Sequence, residues 1–233
     1  MNLQTFSING ETILPITLFG RNRSGKVLEY HKKVMVNYFG LNINYIECPF
    51  PGVSHGQMLD IVIQNSIDTI KPTFFWTLDN DALILKKECI NIMYDLVKNK
   101  MTLAGQMWQS NHLKGPNGQI PHPYISQAFA WFSRELYDGL NRPSLNHYED
   151  SPGFGGDTME KLTYKAKQNG YCIAGFYPSY SFEANTDLDN GCKYGLSNIY
   201  GPHLSYHCSQ ANHEKHEDLF VKMDNRVLNG EFL

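Results

Sequence analysis

The chain has 233 residues, of which 18% are charged, and a formal net charge of −3. That length allows one large α/β domain or two small ones and can bury a sizeable core, and the absence of a Lys/Arg block argues against a nucleic-acid backbone as the main partner. The five cysteines, Cys48, Cys89, Cys172, Cys192 and Cys208, are odd in number and scattered without a C-x-x-C pair, which argues for reduced thiols rather than a disulfide framework or a zinc knuckle. The N-terminus lacks a basic start leading into a long apolar stretch, and no later window approaches a membrane span, so the expected location is cytoplasmic.

In chain order, residues 13–19 ("ILPITLF") form an apolar, β-branched run that breaks at Gly20. Beyond "GRNRSG", the stretch "KVLEYHKKVMVNYFG" spaces its apolar residues as a helix does. Residues 41–48 predict a second strand, "PFPGVSHG" a loop, "QMLDIVIQNSIDTI" a second helix and residues 73–78 ("TFFWTL") a third strand. A helix over "KKECINIMYDLVKNK" and a strand over "MTLAGQMWQ" follow. Residues 110–125 are polar and punctuated by Gly and Pro, as expected of a loop. "SQAFAWFSRELYDGL" predicts a strand running into a helix, and "GDTMEKLTYKAKQNGY" a further helix. From Ser179 onward the chain is rich in Tyr, Asn, Gly and His without clear periodicity.

Strands alternating with helices through short loops imply a parallel sheet that binds ligands outside the carboxyl ends of its strands. The third strand ends in Asp79, Asn80 and Asp81. Two carboxylates so close repel one another and need a cation, donors or water to offset the repulsion. A solvated turn in which the acids bind their own backbone is the alternative for any Asp-x-Asp.

The alternating opening, the Asp-x-Asp near residue 80, the acidic helix start "GGDTMEKL" and a histidine near the C-terminus resemble, in that order, glycosyltransferases of the GT-A type. The likeness runs from about residue 13 to residue 207. It implies an α/β fold with a Rossmann-like mixed, mostly parallel sheet flanked by helices, in a single domain spanning 1–233. About residues 13–109 would form the nucleotide-sugar-binding half, and about 110–233 the acceptor-binding and catalytic half. By the same resemblance Asp79 and Asp81 hold Mn²⁺ or Mg²⁺ against the diphosphate of a UDP- or GDP-sugar, with Asn80 between them. These hard cations prefer carboxylate and phosphate oxygens. Phe19, Gly20, Arg21 and Arg23 follow the first strand where the family contacts its nucleotide, and guanidinium forks suit a diphosphate; an ordinary solvated loop is the alternative. The stretch is not read as a Walker A loop. His207, on a predicted last strand, would supply a third metal ligand, with His203 as the alternative; neutral imidazole is a competent ligand for Mn²⁺.

Asp157 matches the family's acidic segment, whose carboxylate deprotonates a hydroxyl acceptor such as a glycan in inverting enzymes. Thr158 stands where many relatives carry a second acid. Asp157 also fits an N-cap, with Glu160 three residues on as in a capping box. Two other function classes remain. "GVSHG" matches the nucleophile elbow G-x-S-x-G of serine hydrolases at Ser54, although Pro49, Phe50 and Pro51 intervene after the strand. Trp108, Trp131, Tyr124 and Tyr180 would suit sugar stacking in a non-catalytic carbohydrate-binding module, or simply a core.

Overall fold

The strand that carries the acids is buried on both faces, which is why it shows no polar alternation. The computed structural model describes residues 2–20, 25–49, 52–109, 123–146, 158–187, 193–208 and 214–232. In chain order the elements are β1 (Phe6–Ile8), β2 (Glu11–Gly20), α1 (Gly25–Lys32) running into a π-helical stretch (Lys33–Tyr38), β3 (Asn44–Cys48), α2 (His55–Thr69), β4 (Phe74–Asp79), β5 (Ala82–Ile84) and α3 (Glu88–Val97). They continue with β6 (Thr102–Gln109), β7 (Pro123–Ser133), α4 (Arg134–Gly139), α5 (Glu160–Gln168), β8 (Cys172–Phe176), β9 (Pro178–Asp187), β10 (Lys193–Tyr200), β11 (Ser205–Cys208) and α6 (Glu214–Leu228).

The central sheet has the order β2-β4-β7-β6-β8, with β1 and β3 both paired to the outer side of β2. Strands β2, β3, β4, β6 and β8 run the same way, while β7 and the short β1 run against them. The sheet is therefore mixed and mostly parallel, as expected. Phe74, Trp76 and Leu78 of β4 enter one core cluster with Val27, Met93, Phe220 and Met223, from α1, α3 and α6. Phe75 enters the other with Leu59, Ile63, Leu136 and Leu162, from α2, α4 and α5. Helices thus cover both faces of one shared sheet. Because β7 lies between β4 and β6, the N-terminal and C-terminal parts of the chain interleave in that sheet. Gly105 of β6 makes the close approach possible: a Cβ there would lie 2.1 Å from the Phe129 carbonyl oxygen.

The segment after Ser179, without periodicity in the sequence, is not irregular. β9, β10 and β11 form an antiparallel sheet of order β5-β11-β10-β9, and α6 follows. The reason is burial: all four residues of β11, Ser-Tyr-His-Cys, are buried, so no in-out alternation marks it as a strand. β5 is likewise three buried residues, too short to carry a period.

One buried group on α6 gives a prediction. Asp224 is fully buried, and neither carboxylate oxygen has a hydrogen-bond partner among the described residues. Burial pushes its pKa up to about 8, against a smaller opposing influence of Lys33. A folded pKa above the unfolded one means that Asp224 is tolerated best at low pH, and that its penalty grows as pH rises from about 4 to about 8. Asp224→Asn should therefore stabilise the protein by a few kcal/mol more at pH 8.5 than at pH 5, an order-of-magnitude figure from the linkage relation. Urea denaturation of both proteins at the two pH values checks this; an equal difference at both pH values would refute it.

Candidate metal centre

β4 ends at Asp79, and Asn80 and Asp81 form the turn into β5. Asn80 and Asp81 are buried, and Asp79 is half-buried. Leu18 of β2 lies opposite Asp79, so Phe19 and Gly20 extend one and two residues beyond it along the same carboxyl edge. Gly20 in turn lies opposite Cys48 of β3. This is the edge at which sheets of this kind bind ligands. The acids therefore do not sit in a solvated surface turn.

The second sheet brings the third group. β5 begins one residue after Asp81 and pairs antiparallel with β11, with His207 opposite Ala82. The Cys208 backbone N–H donates to the Asp81 carbonyl at 2.9 Å, extending the ladder into the acid turn. One ligand atom from each of Asp79, Asp81 and His207 lies within 4.8 Å of the other two, and His207 Nε2 is 3.5 Å from Asp81 Oδ1. Two carboxylates and an imidazole converging at this spacing could hold a divalent cation that accepts both oxygen and nitrogen ligands.

Residues that the sequence does not single out support the acids. Gln127 of β7 donates from Nε2 to Asp79 Oδ2 at 3.3 Å, which fixes the orientation of that carboxylate. The antiparallel run of β7 beside β4 carries it there. His31 of α1 is fully buried near the same turn, with Nδ1 2.8 Å from the Tyr45 hydroxyl. Burial lowers its pKa to about 3, outweighing the Ala82 backbone and the Asp81 carboxylate, which favour protonation. His31 is thus a neutral packing partner behind the acids. Cys48 and Cys208 flank them. Burial raises both thiol pKa values, Cys208 to about 12, with Asp79 and Asp81 respectively adding to the rise. Both are inert thiols near neutral pH, and the described cysteines, Cys48, Cys89, Cys172 and Cys208, form no disulfide.

Of the two histidines considered for the metal, His207 joins the acids and His203 does not. His203 occupies a turn at φ 54° and packs its ring against Phe232, with centroids 5.9 Å apart. Trp131 and Tyr124 are fully buried core residues, and Tyr180 is exposed on β9. Trp108 is half-buried beside His207, with ring centroids 4.8 Å apart.

Ser54 caps a helix. Its Oγ accepts the Gln57 backbone N–H while the Gln57 side chain accepts the Ser54 N–H, a complete capping box at the start of α2. The hydroxyl also donates to Asn146 Oδ1 at 2.6 Å. "GVSHG" is thus a helix start, and its second glycine has a packing reason: a Cβ on Gly56 would lie 2.3 Å from the Asn146 Cα.

Arg21, Arg23 and Asp157 lie outside the described residues. The helix after Asp157 begins at Glu160, and its N-cap is Met159 at φ 74° with no side-chain cap bond. Four residues separate Gly20 from Gly25 and Lys26 follows, which is the spacing of a Walker A loop. Val27 stands where that loop needs a hydroxyl, and Lys26 Nζ pairs with Glu217 at 2.6 Å.

No protein-family model matches the sequence, and no curated protein matches it at a significant level. Among solved structures, A197 from STIV is similar over 84% of this chain and 94% of its own, at 10% identity and a TM-score of 0.44. A glycosyltransferase involved in the glycosylation of the major capsid of PBCV-1 is similar over 70% of this chain and 81% of its own, at 16% identity and a TM-score of 0.40. A protein described as a glucose-1-phosphate thymidylyltransferase, from Bacillus anthracis and bound to sucrose, is similar over 70% of this chain and 67% of its own, at 10% identity and a TM-score of 0.39. Among the described residues no helix is long and apolar enough to cross a membrane.

Proposed function

We propose that the protein is a metal-dependent glycosyltransferase of the GT-A type that moves a sugar from a nucleoside diphosphate donor to a hydroxyl acceptor. The observation that carries this reading is the convergence of Asp79, Asp81 and His207 at the carboxyl edge of a mostly parallel sheet. Three side-chain ligands leave coordination positions open, and a diphosphate supplies the oxygens that a hard cation prefers. A bound Mn²⁺ would offset the charge that develops on the departing diphosphate. The chain's own part is to hold the two carboxylates in place, through Gln127 and the Cys208 backbone bond, and to present the Phe19 and Gly20 edge to the nucleotide. Arg21 and Arg23 follow that edge in sequence and suit the diphosphate. Asp157 is the proposed base that takes the acceptor proton, with inversion at the anomeric carbon.

A thermal-shift screen of UDP- and GDP-sugars, each with and without Mn²⁺, tests the reading. A donor at a hundredfold excess over its Kd stabilises by about 2.7 kcal/mol, which for a chain of this size raises the Tm by roughly 5–10 °C. The rise should need both donor and Mn²⁺. A shift with free sugar alone, indifferent to Mn²⁺, would indicate a carbohydrate-binding module instead. No shift with any donor would overturn the proposal.

A further inference from the structure

His207 lacks the support that a metal-binding histidine usually has. Such a residue normally donates its second ring N–H to a carboxylate, a carbonyl or water, and that bond sets the ring plane. Here Nδ1 is buried and has no hydrogen-bond partner among the described residues. The cross-strand neighbour, Asn198, does not serve it. Its Oδ1 accepts the Gly195 N–H and the Ser181 hydroxyl, and its Nδ2 donates to the Gly195 carbonyl. What meets the imidazole instead is the indole of Trp108, with centroids 4.8 Å apart and planes inclined by 49°.

That contact is one of a pair. Ser205 and His207 stand two residues apart on β11 and share one face of it, and although the pairing of β6 with β7 is irregular between Gly105 and Met107, Gln106 and Trp108 of β6 both meet that face. Gln106 Nε2 donates to Ser205 Oγ at 3.0 Å, and both residues are fully buried. The polar bond fixes how far β11 slides along β6, and the ring contact then meets His207 at a defined height. We infer that Trp108 is the positioning residue of the candidate metal centre: its indole face sets the His207 ring plane so that Nε2 is turned to Asp81. This rests on the metal-site reading of Asp79, Asp81 and His207. It also gives Trp108 a role apart from sugar stacking.

Binding of Mn²⁺ alone, followed by loss of the free-ion electron paramagnetic resonance signal, separates the possibilities in the parent, Trp108→Phe, Trp108→Ala and His207→Gln proteins. An aromatic face is sufficient on this account. Trp108→Phe should stay within about threefold of the parent, and Trp108→Ala should weaken Mn²⁺ by about 10- to 100-fold, the range typical of losing an outer-shell partner. The visible spectrum of bound Co²⁺ should change in Trp108→Ala towards that of His207→Gln, a change that loss of packing elsewhere would not produce. In the metal-free proteins the carbon-bound imidazole protons of His207 should shift in Trp108→Ala and keep most of their position in Trp108→Phe. Parental Mn²⁺ affinity and Co²⁺ spectrum in Trp108→Ala would overturn the inference while leaving the metal site standing. Equal losses in the Phe and Ala variants would overturn it too, since the ring would then not be what matters. A parent that binds no Mn²⁺ would remove the metal site itself.

Discussion

Replacing Asp81 by Asn should abolish Mn²⁺-dependent binding of UDP and leave the fold intact. The substitution removes one charged oxygen from a centre with three candidate side-chain ligands. The loss should exceed the 10- to 100-fold typical of an outer-shell partner, because a ligand itself is taken away. The fold survives because the contact that ties the turn to β11 runs through the backbone: Cys208 N–H donates to the Asp81 carbonyl, which Asn retains. Asn also keeps the shape of the buried side chain. Without metal, Asp81→Asn should be as stable as the parent or more so, since Asp79 then loses a like-charged neighbour. Titration calorimetry of UDP in the presence and absence of Mn²⁺, with a thermal melt of the metal-free protein, measures both halves. Parental UDP affinity with Mn²⁺ in the variant would refute the assignment of Asp81.

The second large effect concerns turnover. If the Asp157 carboxylate takes the acceptor proton, Asp157→Asn should lower kcat by roughly two to four orders of magnitude, the usual range for losing a general base. Donor affinity should barely change, because the metal ligands are elsewhere. Asn is itself a good N-cap, so the substitution keeps any capping role at the helix start and mainly removes basicity and charge. Asp157→Ser gives an independent check: a hydroxyl can accept a hydrogen bond but is no efficient base near neutral pH. Both variants should bind UDP with Mn²⁺ and fail to transfer sugar. Near-parental transfer by either would remove Asp157 from the chemistry and favour a retaining mechanism, which needs no enzymic base at that position.

What the sequence by itself determined follows from features that are local. The apolar, β-branched runs at residues 13–19 and 73–78, the helical spacing between them and the glycine breaks predict the alternating elements that become β2, α1, β3, α2 and β4. A parallel arrangement then puts Asp79 and Asp81 at a carboxyl edge, because each strand–helix–strand crossover carries the chain back to the amino end of the sheet before the next strand starts. The acids were legible for the same reason: charge inside an apolar run is locally anomalous.

Only the tertiary structure decided the partners of those acids. The capping box at Ser54 could be written from the sequence as easily as a nucleophile elbow, and a hydroxyl donating to Asn146, 92 residues away, is what distinguishes them. Gln127 carries no local signal, since a glutamine in an apolar strand reads as an outward-facing residue until β7 is seen to run beside β4. His207 and His203 are four residues apart and alike in composition. β11 pairs with β5, setting His207 against Asp81, while the turn at Gly201 and His203 points the other ring to Phe232. Pairing between strands more than a hundred residues apart depends on loop closure and on burial shared by both, and neither leaves a periodic trace in a four-residue segment buried throughout.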